Sequence, residues 1–188
     1  MNLYTPIKAG YKSPSYQRKE LAKMGYIRDD NLSNHNQQTY YSPAEKKLLF
    51  NVAGTHNLSD VGTDVALAFG MLNTTNRFKE AQTTLKKAKD FYGVKNANIT
   101  GHSLGGSIAS FVDDKDDSVC TLDKGTAPFQ KTDKNEKDYR TEGDLVSLFS
   151  TNAKHTTTLK NPNKNNILPN LPTAHDVDNI KNQGIRIV

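Results

Sequence analysis

The residues with the clearest chemical potential are Gly101-His102-Ser103-Leu104-Gly105, a serine with a glycine two positions away on either side and a further glycine, Gly106, behind it. A serine hydroxyl is a poor nucleophile until an imidazole takes its proton and a carboxylate holds that imidazole in place. The string falls between 96–102, which reads as a strand, and 104–112, which reads as a helix. A chain that turns sharply from strand to helix brings backbones close and strains its central residue, so the flanking positions must be small. Such a turn lifts the Ser103 hydroxyl clear of the sheet and puts the N–H groups of the helix start behind it, where an anion can be met.

A serine at this kind of turn is followed in the chain first by its acid and then by its histidine, the order of the α/β hydrolases. Five histidines compete for the second role. His102 adjoins the serine and reads as packed beneath the turn, while His35 and His56 read as solvated or structural. His175 fits the order, because it follows a Pro-rich loop near the C-terminus; His155, at the start of the last strand candidate, is its competitor. For the acid, Asp144 follows a strand candidate and the turn residues Glu142-Gly143, with Asp123, Asp133 and Asp138 as weaker competitors. An oxyanion formed at Ser103 needs two preorganised N–H donors. One is the backbone of Leu104, and the other must come from the loop after an earlier strand, which Gly54-Thr55 occupies.

The elements that must position these groups alternate. KKLLFNVA, residues 46–53, is a short apolar run ending at Gly54, as a buried strand does. A helix is expected from Asp60, and a longer one over 76–92, where Phe78, Ala81, Leu85, Ala88 and Tyr92 form one apolar stripe. Strands are expected again at 118–122 and, more weakly, at 138–141 and 155–160. Alternating strands and helices predict a compact α/β fold, a mostly parallel central sheet flanked by helices. Residues 1–42 are polar, hold one helix candidate over 16–24, and read as a peripheral surface layer of a single 188-residue domain.

The wider string NITGHSLGGSIAS resembles the serine turn of the class 3 lipases, the family of the fungal triacylglycerol lipases. The resemblance extends to Gly54-Thr55, to Asp60 and Asp64, to Asp144 and to His175-Asp176-Val177-Asp178-Asn179, in the family's order and over about residues 46–180. It implies an α/β-hydrolase-like fold and hydrolysis of lipid esters through an acyl-enzyme on Ser103, with Asp144 and His175 completing the triad. It also places the second oxyanion donor on Thr55. Where the family usually has a basic residue before the Gly-Thr pair, this chain has Ala53.

Composition sets the outer limits. The 188 residues are 35 % hydrophobic, and no apolar run approaches the roughly 18 residues that cross a bilayer. No apolar stretch resembling a cleavable secretion signal opens the chain, so a soluble protein is expected, cytoplasmic or packaged in a viral particle. Cys120 is alone, which excludes an internal disulfide and a cysteine-rich metal site, and it reads as a buried thiol. The acidic loop Asp113–Asp117 lacks calcium-loop spacing and reads as solvated. Neither cofactor nor metal is required for the expected chemistry. The 25 Lys+Arg against 20 Asp+Glu give +5, yet the basic residues are scattered and not interleaved with aromatics, so nucleic acid is not an expected partner. The expected partner is a lipid or other ester, with an anionic membrane surface as a possible site of transient contact. Two alternatives follow: a phospholipase working on anionic membranes, or a non-catalytic module, such as a virion component, that keeps a hydrolase scaffold.

Overall fold

In the computed structural model, residues 2–55, 73–125, 135–144, 147, 155–162 and 174–187 are described. Their helices are α1 (Tyr4–Gly10), α2 (Pro14–Ala22), α3 (Asn73–Tyr92) and α4 (Leu104–Val112). The strands are β1 (Ile27–Asp29), β2 (Gln37–Ser42), β3 (Lys47–Val52), β4 (Ala97–His102), β5 (Ser118–Leu122), β6 (Glu136–Thr141) and β7 (Thr156–Leu159), and a 3-10 turn covers Val177–Ile180.

The seven strands form one sheet in sequence order. The pairs β1–β2 and β2–β3 are antiparallel, and every pair from β3 to β7 is parallel. Parallel neighbours need a crossover, and α3 and α4 supply the first two, as the mixed pattern predicts. Strand β3 shows how both faces are covered. Leu48, Phe50 and Val52 point to the side of α3 and α4, where they pack with Ala81, Leu85, Ala88, Ile99 and Ile108. Leu49 points the other way, into a cluster with Leu3, Ile7, Leu21, Tyr40 and Leu122 that also gathers Val177, Ile180, Ile185 and Ile187 from the C-terminal end.

The helix stripe behaves as its spacing predicts: Ala81, Leu85 and Ala88 are buried, and Phe78 and Tyr92 pack at its edges. Cys120 is a buried free thiol, pushed up to about 12 by desolvation. The helix expected from Asp60, with Asp64 and His56, lies outside the described residues, as does Asp133.

Residues 1–42 differ from the sequence reading, which places no strand before 46. Strand β2 sits inside the sheet, and Tyr40 is fully buried. Its apolar content is low, so hydrogen bonds between side chains stand in for hydrophobic pairing. Thr100 Oγ1–H donates to Asn51 Oδ1 (2.8 Å), and Asn51 Nδ2–H to Gln38 Oε1 (2.7 Å), a buried polar ladder across β4, β3 and β2. The acidic loop after α4 is likewise less solvated than expected. Asp117 is fully buried, where it holds Lys89 Nζ (2.7 Å) and the Ala97 N–H (2.7 Å). Among the described residues no helix is long and apolar enough to cross a membrane.

Candidate active site

Strands β3, β4 and β6 run parallel and end on the same edge of the sheet, so the segments that follow them meet there. These segments carry Gly54-Thr55, Ser103 and Asp144. His155 precedes β7 and therefore lies at the opposite edge, where its carbonyl accepts from the Asp138 N–H (2.9 Å). That position separates it from Ser103 and leaves His175 as the histidine on the Asp144 side.

Ser103 has φ 56° and ψ −129°, a left-handed conformation that a non-glycine residue adopts only where its surroundings enforce it. The flanking glycines show what does the enforcing. A Cβ on Gly105 would run into the Val52 carbonyl and the Ala53 backbone, and one on Gly101 into the backbone of Gly105 and Gly106. Strand, turn and helix thus touch backbone to backbone. Ser103 N–H donates to the Leu122 carbonyl (3.1 Å), which fastens the turn to β5. Leu104, the first residue of α4, carries one of the N–H groups that no helix carbonyl can reach.

Asp144 and His175 are both about 2 % exposed and joined by a 2.8 Å hydrogen bond, His175 Nδ1–H to Asp144 Oδ1. Asp144 Oδ2 accepts from the Ser147 N–H (2.8 Å) and its hydroxyl (2.5 Å), so both carboxylate oxygens are held. Burial alone would push the Asp144 carboxyl up. The bonds from His175 and Ser147 outweigh it and hold the carboxyl below its ordinary value. Burial also disfavours the His175 imidazolium, but the Asp144 hydrogen bond and charge prevail and raise its pKa. With its proton on Nδ1, neutral His175 presents a bare Nε2, and that buried nitrogen has no hydrogen-bond partner among the described residues. No hydrogen bond joins it to Ser103 in this structure.

His102 lies beneath the turn, as expected, fully buried with its ring centroid 4.6 Å from that of His175. Its two nitrogens are engaged, Nδ1 with the Tyr11 hydroxyl (2.7 Å) and Nε2 with the His175 carbonyl (3.1 Å). Of the competing acids, Asp138 is buried elsewhere, in a cluster with Lys124 Nζ (2.9 Å) and Thr121. Asp123 is in the site. Its carboxylate binds the Thr141 N–H (2.5 Å) and hydroxyl (2.9 Å), and burial together with the Asp144 charge pushes it up to about 7. His102, Asp123 and His175 place one ligand atom each within 4.8 Å of one another. Because both His102 nitrogens and His175 Nδ1 already hold hydrogen bonds, this set fits a hydrogen-bonded frame better than a cation.

Three neighbours of the site escape the sequence reading. Tyr11 arrives from the N-terminal layer, Ser147 backs the acid, and Arg77 of α3 donates through Nη2 to the Ala53 carbonyl (2.6 Å). Arg77 thereby brings a guanidinium to the loop where Ala53 stands in place of a basic side chain. Of these, only Ser147 had a local cue, a hydroxyl three residues after the acid.

A mostly parallel sheet with helices on both sides, carrying a left-handed serine at a strand-to-helix turn, is the α/β-hydrolase fold. Within that class, residues 37–115 match the model of the lipase (class 3) family. No curated protein matches the chain in sequence. Among solved structures, it is similar to the Rhizomucor miehei lipase in complex with its propeptide, at 12 % identity and a TM-score of 0.57, covering 84 % of this chain and 66 % of that one. It is similar too to a triacylglycerol lipase whose catalytic centre is a serine protease triad (12 %, TM-score 0.61, 85 % and 78 % covered). A third is a fungal lipase (13 %, TM-score 0.56, 88 % and 80 % covered). The chain thus spans about two thirds of the length of the Rhizomucor miehei enzyme.

Proposed function

We propose that this protein is a serine carboxylic-ester hydrolase acting on lipids, a triacylglycerol lipase or esterase working through an acyl-enzyme on Ser103. The observation that carries the reading is the buried Asp144–His175 pair, with an unpartnered Nε2, beside the elbow on which Ser103 is held at positive φ. The family match and the fungal lipase neighbours support a lipid ester as the substrate.

His175 Nε2 takes the Ser103 proton as Oγ attacks the acyl carbonyl carbon, and Asp144 holds the imidazole and stabilises its charged form. The carbonyl oxygen becomes an oxyanion and is met by the N–H groups of Leu104 and Thr55, the loss of either costing about 3 kcal/mol in the barrier. The intermediate collapses, the acyl–oxygen bond breaks, and the leaving alcohol takes the proton from His175. Water repeats the sequence on the acyl-enzyme, releasing the fatty acid and restoring Ser103.

The test is Ser103→Ala on short and long p-nitrophenyl esters and on emulsified triacylglycerol, with a fluorophosphonate probe alongside. Turnover is expected to fall to background and labelling to vanish while the circular dichroism spectrum is kept. Equal turnover in the variant would remove the reading. The charge of +5 allows phosphatidylglycerol vesicles as a substrate as well. Faster hydrolysis of those than of triacylglycerol, suppressed by salt, would make the enzyme a phospholipase.

A further inference from the structure

Tyr11 belongs to the layer that precedes the family match, yet its hydroxyl lies at the centre of the site's framework. It accepts from the Gly54 N–H (2.9 Å) and contacts His102 Nδ1 (2.7 Å). The direction of these bonds follows from the far side of the ring. His102 Nε2 faces the His175 carbonyl, which can only accept, so Nε2 carries the proton. Complete burial keeps the ring neutral, so Nδ1 is bare and takes the Tyr11 proton. An ordered relay results, from Gly54 N–H to the Tyr11 hydroxyl, from that hydroxyl to His102, and from His102 to the backbone of His175. It spans the oxyanion loop, the serine elbow and the loop of the general base.

The space at Gly54 shows how tight the relay is. A Cβ there would stand 2.5 Å from the Tyr11 oxygen, 2.8 Å from the His102 carbonyl and 3.1 Å from Ser103 Cβ. The helix just before Tyr11 grips the His175 side from a second direction. Tyr4 Oη–H and Lys8 Nζ each donate to the Asp178 carboxylate at 2.8 Å, and Leu3 and Ile7 share a cluster with Val177 and Ile180.

We propose that Tyr11 is a positioning residue for the esterase reaction: by donating to His102 Nδ1 it fixes the ring whose Nε2–H holds the backbone at His175, and by accepting from Gly54 it fixes the oxyanion loop against the same frame. This rests on the serine-hydrolase reading of the site. Removing the hydroxyl keeps the ring in place, strands the Gly54 N–H, and leaves His102 Nδ1 without its donor, so the imidazole that holds the His175 carbonyl is anchored at one end only.

The experiment compares the full chain with Tyr11→Phe and with Leu21→Ala, a packing lesion in the core cluster of the same layer that removes no hydrogen bond of the relay. Three quantities are read: the melting temperature, the fluorophosphonate labelling rate at Ser103, and the nitrogen-15 resonances of the His102 ring. Wild type and Tyr11→Phe are both expected to show the Nε2–H pattern, with the His102 Nδ1 resonance of Tyr11→Phe moved downfield by loss of its hydrogen bond and labelling of that variant slowed about tenfold or more, since small displacements of reacting groups cost rate steeply. Leu21→Ala is expected to melt lower yet label within about twofold of wild type at temperatures where it is folded. Labelling of Tyr11→Phe at the wild-type rate would overturn the proposal, and so would equal slowing in Leu21→Ala. If the wild type does not react with the probe, the serine reading is what fails. The His102 Nδ1 resonance then decides the relay by itself, an unmoved one in Tyr11→Phe overturning it and a shifted one sustaining it.

Discussion

Two buried carboxylates approach one imidazole, and their environments drive them apart. Asp144 accepts from His175 Nδ1–H and from the N–H and hydroxyl of Ser147, and its carboxyl is held below its ordinary value, while Asp123 is pushed up to about 7 by burial and by the Asp144 charge. In the proposed reaction His175 therefore depends on Asp144. Asp144→Asn removes the charge that raises the His175 pKa and leaves burial to lower it, so the acid limb of kcat/KM is expected to move to lower pH. The plateau rate is expected to fall on the order of 10³ to 10⁴, the scale seen when a triad acid becomes an amide. A pH–rate profile on a p-nitrophenyl ester measures both, and an unmoved limb would assign the imidazole's pKa to something else. For Asp123 the readout is stability. An unfolded chain releases this proton near 3.9, and the folded chain keeps it until about 7. The group's contribution to stability is thus complete below the lower value and is lost as pH rises through the upper one. In urea titrations Asp123→Asn is expected to gain on the wild type as pH climbs from about 4 to about 8. Parallel stability curves would mean that the carboxyl is ionised throughout.

At the scale of elements, the elbow is a contact between main chains, and a single methyl group tests it. Gly105→Ala would drive a Cβ into the Val52 carbonyl and the Ala53 backbone, atoms that cannot rotate away. A loss of about 3 kcal/mol is expected, at the upper end of overpacking costs, because strand β3 or helix α4 must shift as a whole. Guanidinium denaturation measures it, and a loss below about 1 kcal/mol would show that strand and helix start yield to the added methyl group. The same contact explains why this part of the molecule is readable from sequence. Gly101, Gly105 and Gly106 are required by geometry local to the turn, and the apolar run of β3 and the stripe of α3 announce themselves by period. Strand β2 does not, because QQTYYS buries its glutamines and threonine through bonds to Asn51, Thr84 and Leu32 that no period records. The acid was narrowed to Asp144 by chain order and resemblance, whereas the neighbourhood of Asp123 and the reach of Arg77 to Ala53 depend on packing between distant segments. Tyr11 lies 91 residues from His102, and nothing near it in the sequence points there.

Across the whole molecule, the two ends close on each other beneath the face of the sheet opposite α3 and α4. Leu3 N–H donates to the Ile185 carbonyl (3.0 Å), and Asn2 pairs with Arg186 in an antiparallel bridge. Ile185 and Ile187 are 7 % and 6 % exposed and join Leu3, Ile7, Val177 and Ile180 in one cluster. Val177 and Ile180 lie just after His175 in the chain, so the clasp between the ends also packs against the segment that carries His175. Truncating both isoleucines leaves cavities that a clasp of two short segments can only partly refill. Ile185→Ala with Ile187→Ala is expected to cost about 4 kcal/mol or more, from roughly 2 to 5 for each buried side chain less what relaxation recovers. The loss should also be local in its first consequence. Hydrogen exchange of the 177–180 amides and of Leu3 is expected to lose protection before that of β3 and β4, which are secured by the other core cluster. Uniform loss of protection in all these elements would instead mean that the clasp and the central sheet open as a single unit, with no separate mobility available to the segment that carries His175.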